Sequence, residues 1–294
     1  SACLVGSEMC IRDRSLANQV RFRYGTVNGT VASNHQLSFG GALQNHNNNA
    51  EGSGAGYQVI AGSGSTGTST STGTTNVSRA GEYAAVGVDG ATAIIAWYDA
   101  ENQSLLFSYN DNPSDSTKAD NWGKNTKVID SDFAGWYVDM VVDENHGIHI
   151  AYYGASAGDL KYAYLPKYDS TAAFDVVTVD SYLSVGTNIS VDVMKKTVGS
   201  NTYYVPYISC FMSSFTKTRY SIRTAWLNTL GQASVPAGVA KDEFTGDWEV
   251  MTVPTDDVPL DYTIGIGIKK NGSNNDSALL GYGTKKGLQT ASLE

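Results

Sequence analysis

The chain has 294 residues and a formal charge of −9 at pH 7; 17% of its residues are charged and 41% are hydrophobic. The acidic balance argues against a nucleic-acid-binding protein, which presents a basic surface. No apolar run reaches the roughly 18 residues that indicate a membrane-spanning helix. The hydrophobic share is large enough for a folded core, and the 31 glycines beside few charges favour a strand-rich protein with many tight turns.

Residues 1–14 differ from the rest of the chain. They contain the stretch CLVGSEMCIRDR, which resembles the translation of a sequencing adapter, so we expect these residues not to belong to the native protein. A genuine short N-terminal tail is the alternative. Without them Cys210 is the single cysteine left, which excludes a disulfide framework and a cysteine-based metal site.

The strongest pattern in the chain is an internal repeat. Segment 81–113 aligns with segment 135–167, so that Asp89 matches Asp143 at an offset of 54 residues. The block AWY, which ends at Tyr98, matches AYY at an offset of 55 residues. Weaker copies of the same unit follow within 181–255 and 256–294.

Each copy of the repeat divides into four short strands. The first strand is small and apolar, the second is continuously apolar, the third alternates, and the fourth is amphipathic. First strands are predicted at 84–88, 138–142, 189–193 and 263–268. Four-stranded units that recur at this spacing are typical of a β-propeller, an all-β fold of antiparallel blades.

We therefore predict a single propeller domain over residues 15–294. Its parts are a partial blade at 15–61, a flexible linker at 62–80, blades at 81–130, 131–180 and 181–255, and a partial blade at 256–294. Two interpretations stay open. The chain is a fragment of a larger ring, or the N-terminal strand at 19–25 completes the last blade and closes a ring of four.

The repeat residues resemble those of a widespread family of bacterial extracellular propeller repeats. The matching residues are Asp143, HIAYY at 149–153 and LKYA at 160–163, with Asp89 and Trp97-Tyr98-Asp99 in the preceding copy. The turn at 108–122 is also faintly similar to the Asp-box of sialidase-type propellers, without its glycine. The resemblance implies a secreted or surface-exposed bacterial protein and implies no particular chemistry.

Asp139 and Asp192 are the candidate catalytic residues. They occupy matching positions in successive first strands, and glycoside hydrolysis requires two carboxyl groups roughly 5 to 10 Å apart. The competing interpretation is that both carboxylates have no catalytic role and contact water in the channel of the propeller.

The remaining polar residues favour structural roles. Asp89, Asp99 and Asp143 end strands and are expected to accept hydrogen bonds from turn amides. His146 and His149 point to opposite faces of a strand, which disfavours a metal site. We predict no metal and no cofactor; calcium at the loop of Asn110, Asp111, Asn112 and Asp115 is the weak exception, since the loop lacks the regular ligand spacing.

The surplus of aromatic residues gives the candidate ligand-binding set. These residues lie near strand ends, where a ring can stack on a sugar, although core packing is the competing explanation: Trp97, Tyr98, Trp136, Tyr137 and Tyr153. We predict a binding module, without catalysis, that recognises a glycan or a protein outside the cell or on the bacterial surface. A glycosidase or lyase that uses Asp139 and Asp192, and a passive adhesive segment, are the alternatives.

Overall fold

The computed structural model describes residues 2–3, 9–12, 19–24, 26–28, 36–38, 58–62, 80–113, 121–213, 220–227, 248–253, 259–269, 276–284 and 286–293. The chain divides into two compact units, Ser1–Gly135 and Trp136–Glu294. In the part of the chain just defined, the regular structure consists of β-strands and one helical turn, α1 (Asn121–Lys124). The predicted all-β class is therefore confirmed.

The first unit contains two four-stranded antiparallel sheets and a small strand pair. Its first six strands are β1 (Ala2–Cys3), β2 (Met9–Arg12), β3 (Gln19–Tyr24), β4 (Thr26–Asn28), β5 (Gln36–Ser38) and β6 (Gln58–Gly62). One sheet has the order β1-β2-β3-β6, and β4 pairs with β5. The second sheet places β7 (Ala80–Asp89), β8 (Thr92–Asp99), β9 (Ser104–Asn110) and β10 (Lys127–Asp130) in chain order.

The second unit contains three successive sheets, each with its strands in chain order. The first of them consists of β11 (Ala134–Val142), whose first two residues belong to the first unit, β12 (Ile148–Gly154), β13 (Asp159–Leu165) and β14 (Asp175–Asp180). The next consists of β15 (Ser184–Val198), β16 (Asn201–Ser213), β17 (Tyr220–Leu227) and β18 (Trp248–Thr252). The last has β19 (Pro259–Lys269), β20 (Ser277–Thr284) and β21 (Gly287–Leu293).

The predicted quartet of strands is confirmed. The four predicted first strands lie within β7, β11, β15 and β19, and three of the sheets continue to an amphipathic fourth strand. The linker was predicted at 62–80. Its residues 63–79 lie outside the described part of the chain. The single-domain prediction and the expectation for residues 1–14 stay predictions.

The continuous apolar pattern of the second strands has the expected cause, which is burial on both faces of the sheet. Every residue of β8 is buried, and so are six of the seven residues of β12. In the second unit β15 packs on β12 and β13, while β19 packs on β15, β16 and β17. The first two sheets of this unit are therefore each covered by the first strand of the sheet that follows.

The loop after the fourth strand is built in the same way in both units. Asp130 accepts a hydrogen bond from the N–H of Asp132, and Asp180 accepts one from the N–H of Tyr182, each at 3.0 Å. The next residues, Phe133 and Leu183, have positive φ angles of 45° and 63°. The sequence repeat thus extends to the backbone conformation of the loop.

The loop leads into the first strand of the next sheet. There a backbone hydrogen bond recurs in both units, and we call this contact the seam. In the seam of the first unit, the N–H of Ala134 donates to the carbonyl of Gln103 at 3.2 Å. In the seam of the second unit, the N–H of Val185 donates to the carbonyl of Gly158 at 2.9 Å. Both acceptors lie in the turn between a second and a third strand.

A glycine follows at each seam because a side chain has no room there. Gly135 has a φ of 113°, and a Cβ atom on it would lie 3.0 Å from the Cβ of Leu105. Gly186 has a φ of 110°, and its Cβ would lie 3.1 Å from the Cα of Leu160. Since Leu105 and Leu160 are themselves repeat equivalents, the close approach of the two strands is a property of the repeat.

We predict that Gly186→Ala lowers the free energy of unfolding by about 2–4 kcal/mol, because it adds a backbone clash to an unfavourable φ. Gly199→Ala is the matched control. Gly199 also has a positive φ, 64°, but its Cβ would meet no atom within 4 Å, so about 1 kcal/mol is expected. Urea unfolding of both variants measures the difference, and equal losses would contradict the steric role of the seam.

Candidate functional site

The two candidate catalytic carboxylates connect neighbouring sheets of the second unit. Asp139 on β11 accepts a hydrogen bond from the N–H of Val191 on β15 at 2.9 Å. Asp192 on β15 accepts one from the N–H of Ile268 on β19 at 2.8 Å. Asp139 and Asp192, which occupy matching positions in the sequence repeat, therefore have the same structural role: each links one first strand to the next.

The second oxygen of each carboxylate is engaged as well. Oδ1 of Asp139 accepts from the N–H of Met140 at 2.9 Å, and Oδ1 of Asp192 accepts from the N–H of Val193 at 2.8 Å. Four backbone N–H groups thus occupy the four carboxylate oxygens. We call these two aspartates the inter-sheet tethers.

The electrostatic environment of Asp139 is unusual. Burial raises its pKa to about 6, and the nearby charge of Asp192 contributes in the same direction, while the two backbone N–H donors act against them. A raised pKa is a property of general acids. Here its cause is desolvation between two sheets.

Three of the five predicted ligand-binding aromatics lie together in the second unit. The ring centroid of Tyr153, at the end of β12, is 6.2 Å from that of Trp136 and 6.3 Å from that of Tyr137, both on β11. The hydroxyl of Tyr153 lies 3.0 Å from that of Ser184. All three rings are partly exposed. We call Trp136, Tyr137 and Tyr153 the aromatic cluster.

The other two predicted aromatic residues, Trp97 and Tyr98, are buried in the hydrophobic core. Trp97 is 0% exposed and Tyr98 is 3% exposed. The ring of Tyr98 packs between Tyr83, at 6.4 Å, and Phe133, at 6.5 Å. Neither residue presents a free ring face, so we leave both out of the candidate site.

The predicted structural roles of Asp143 and His149 agree with their hydrogen bonds. Asp143 accepts from the turn amides of Asn145 and Gly147 through Oδ1. Its Oδ2 lies 2.9 Å from Nε2 of the buried His149, whose Nδ1 lies 2.5 Å from the hydroxyl of Tyr162. The histidine therefore fills a buried polar network, which sequence spacing alone does not reveal.

The remaining candidates also have local partners. Asp99 accepts from the N–H of Glu101 at 3.0 Å, as expected of a turn residue. Asn110 accepts from the N–H of Asn112 at 3.0 Å, and Asp115 lies outside the described residues. Burial raises the pKa of the Cys210 thiol to about 12, so its thiolate is not populated at neutral pH. No group of three or more metal-ligating side chains occurs in the described ranges, and none of their helices is long and apolar enough to cross a membrane.

One buried ion pair was not predicted from the sequence. Arg223 on β17 donates to Asp180 at the end of β14, with Nε at 2.8 Å and Nη2 at 2.7 Å from Oδ2. Nη1 of the same guanidinium donates to Thr252 at 2.9 Å. The partners are 43 and 29 residues away along the chain. Thr252 lies opposite Arg223 in the pairing of β17 with β18, whereas Asp180 belongs to the neighbouring sheet.

The raised pKa of Asp139 gives a pH prediction. Because its folded pKa of about 6 exceeds the unfolded value of 3.8, the folded chain binds more protons between these values, and its stability falls as pH rises through this window. Asp139→Asn cannot ionise. We expect the unfolding free energy of the unchanged chain to fall by about 1–3 kcal/mol relative to this variant between pH 4 and pH 6.5, measured by urea unfolding. Parallel pH profiles would contradict it.

Similarity to known proteins assigns no family to this site. No protein-family model matches the chain, and no curated protein matches it in sequence. The function proposed below therefore rests on two features of the chain itself, the aromatic cluster and the inter-sheet tethers.

Proposed function

We propose that the chain forms blades of a β-propeller that binds a neutral glycan at the aromatic cluster, outside a bacterial cell. The propeller proposal is supported by successive antiparallel sheets with their strands in chain order, two of which are covered by the first strand of the next sheet. The bacterial and extracellular assignment is supported by the repeat resemblance.

The aromatic cluster is the observation that carries the binding proposal. A sugar ring presents an apolar C–H face and a rim of hydroxyl groups, so its binding site needs an aromatic face beside hydrogen-bonding groups. Tyr153 and Ser184 provide two hydroxyl groups beside the partly exposed ring of Trp136. Both chemistries therefore occur within one site.

The backbone supports a rigid site. Tyr137 has a φ of 52°, and Asn188, at the same place in the next first strand, has a φ of 50°. Positive φ is unfavourable for a tyrosine, so the surrounding strands hold this conformation. A backbone that is already fixed loses little conformational entropy when a ligand binds.

The raised pKa of Asp139 favours a second candidate function, a glycosidase. The hydrogen bonds of the tethers argue against it. A general acid must reach the glycosidic oxygen and a nucleophile must reach the anomeric carbon, but all four oxygens face backbone N–H groups. A catalytic carboxylate here would share each oxygen with a backbone N–H group, so we prefer binding without turnover.

Glycan binding is tested by calorimetric titration with cellohexaose, mannohexaose, xylohexaose and chitohexaose. We expect binding of at least one of these probes without release of shorter products, and a loss of about tenfold or more in affinity for Tyr137→Ala, since one stacking surface is removed. Trp136→Ala should act in the same direction.

Tyr168→Ala is the matched control. Tyr168 is partly exposed and follows β13, in the turn at the opposite end of the same sheet, so its loss should leave the affinity unchanged. Equal effects of the two tyrosine variants, or no binding of any probe, would contradict the proposed site. Product release that stops in Asp139→Asn and Asp192→Asn would favour the glycosidase.

A further inference from the structure

The two units contain equivalent tyrosine pairs. Tyr137 and Tyr153 have ring centroids 6.3 Å apart at an interplanar angle of 72°. Tyr83 and Tyr98 have ring centroids 6.4 Å apart at 59°. The pairs are related by the offsets of the sequence repeat, 54 residues for the first strand and 55 for the second. The chain therefore contains the same aromatic arrangement twice.

The two pairs differ in their exposure. Tyr98 is 3% exposed, and the ring of Phe133 packs on it at 6.5 Å with an interplanar angle of 48°. Tyr153 is partly exposed. At the loop position of Phe133 the second unit has Leu183, whose side chain packs against the hydrophobic core of that unit. The pair Tyr83 and Tyr98 is thus contacted by an aromatic ring from the loop, that of Phe133, whereas the loop residue beside Tyr153 is aliphatic.

The loop positions of Phe133 and Leu183 are structurally equivalent. Each follows Asp-Ser-X, in which the aspartate accepts from the N–H two residues later. Each has a positive φ, and each is followed by the strand that makes the seam hydrogen bond. The two pairs therefore differ in the side chain at this loop position, in the added residue Ser184, and in Trp136, where the first copy of the repeat has Glu82.

We propose that this loop residue decides whether the tyrosine pair beside it can bind a sugar ring. In this proposal Phe133, whose ring packs on that of Tyr98 at a tilted angle of 48°, blocks the approach of a pyranose. Leu183 adds no ring beside Tyr153, which is partly exposed. The pair Tyr83 and Tyr98 is then a second glycan site, closed by the chain's own side chain. This inference rests on the proposed function and names its specificity-determining residue.

Exchange of the two side chains tests the proposal. With the hexasaccharide that the unchanged chain binds, Leu183→Phe should weaken binding about 3- to 10-fold, because an internal ring competes for the stacking face. Phe133→Leu should raise the stoichiometry from about one to about two ligands per chain. Leu288→Phe, which adds a ring at an exposed position of β21 outside the loop, is the control and should bind as the unchanged chain does.

A second readout needs no glycan. Nitration by tetranitromethane, mapped by mass spectrometry, reports which tyrosine rings are accessible. Phe133→Leu should make Tyr98 reactive, and Leu183→Phe should protect Tyr153, while thermal unfolding confirms that both variants are folded. Tyr168 provides an internal reference, since neither exchange touches its turn.

The outcomes separate the two proposals. If no probe binds but the exchange moves nitration between Tyr98 and Tyr153, the glycan function is wrong and the control of access by the loop residue stands. If a probe binds and neither exchange changes affinity, stoichiometry or nitration, the role of Phe133 and Leu183 is wrong while the binding function stands. A closed Tyr98 in folded Phe133→Leu also overturns the inference.

Discussion

The first strand of each sheet imposes the constraint on which the second unit depends. Such a strand pairs on one side only, so the N–H groups on its other side need acceptors. Asp139 supplies one to Val191, and Ser190 and Asp192 supply two to Ile266 and Ile268. A side chain on one first strand thus satisfies the backbone of the next, and it fixes the register between sheets at the same time.

This constraint gives Asp139 and Asp192 a structural role in place of the catalytic role that their positions suggested. Two carboxylates at matching positions satisfy the composition of a glycosidase site, but here each of their oxygens already accepts a hydrogen bond from a backbone N–H group. Desolvation at the same place raises the pKa of Asp139 to about 6. A shifted pKa indicates a functional residue only after its structural causes have been counted, and here they account for the shift.

The positions of the strands could be predicted because each copy of the repeat has the same order of apolar, alternating and amphipathic segments. Continuous apolar runs predicted the buried strands β8 and β12, and the turn aspartates behaved as expected of Asp99 and Asp143. Contacts between distant residues could not be predicted. Arg223 meets Asp180, and Tyr162 meets His149, only after the sheets have formed. The strand predicted at 189–193 lies within β15, but its full length, Ser184–Val198, was not predicted, and register shifts after Val185 and Thr187 interrupt the pattern near its start.

Only the residue types of the site could be predicted, because its exposure depends on contacts between residues that are distant along the chain. Sequence identified aromatic residues near strand ends, but it could not separate Trp136, Tyr137 and Tyr153 from the buried Trp97 and Tyr98. Burial at these positions depends on the loop that arrives from the fourth strand. The seam glycines and turn aspartates fix both ends of that loop in each unit. Between these fixed ends the loops differ in the side chain, Phe133 or Leu183, and in the added residue Ser184, and these differences determine what the neighbouring tyrosines contact.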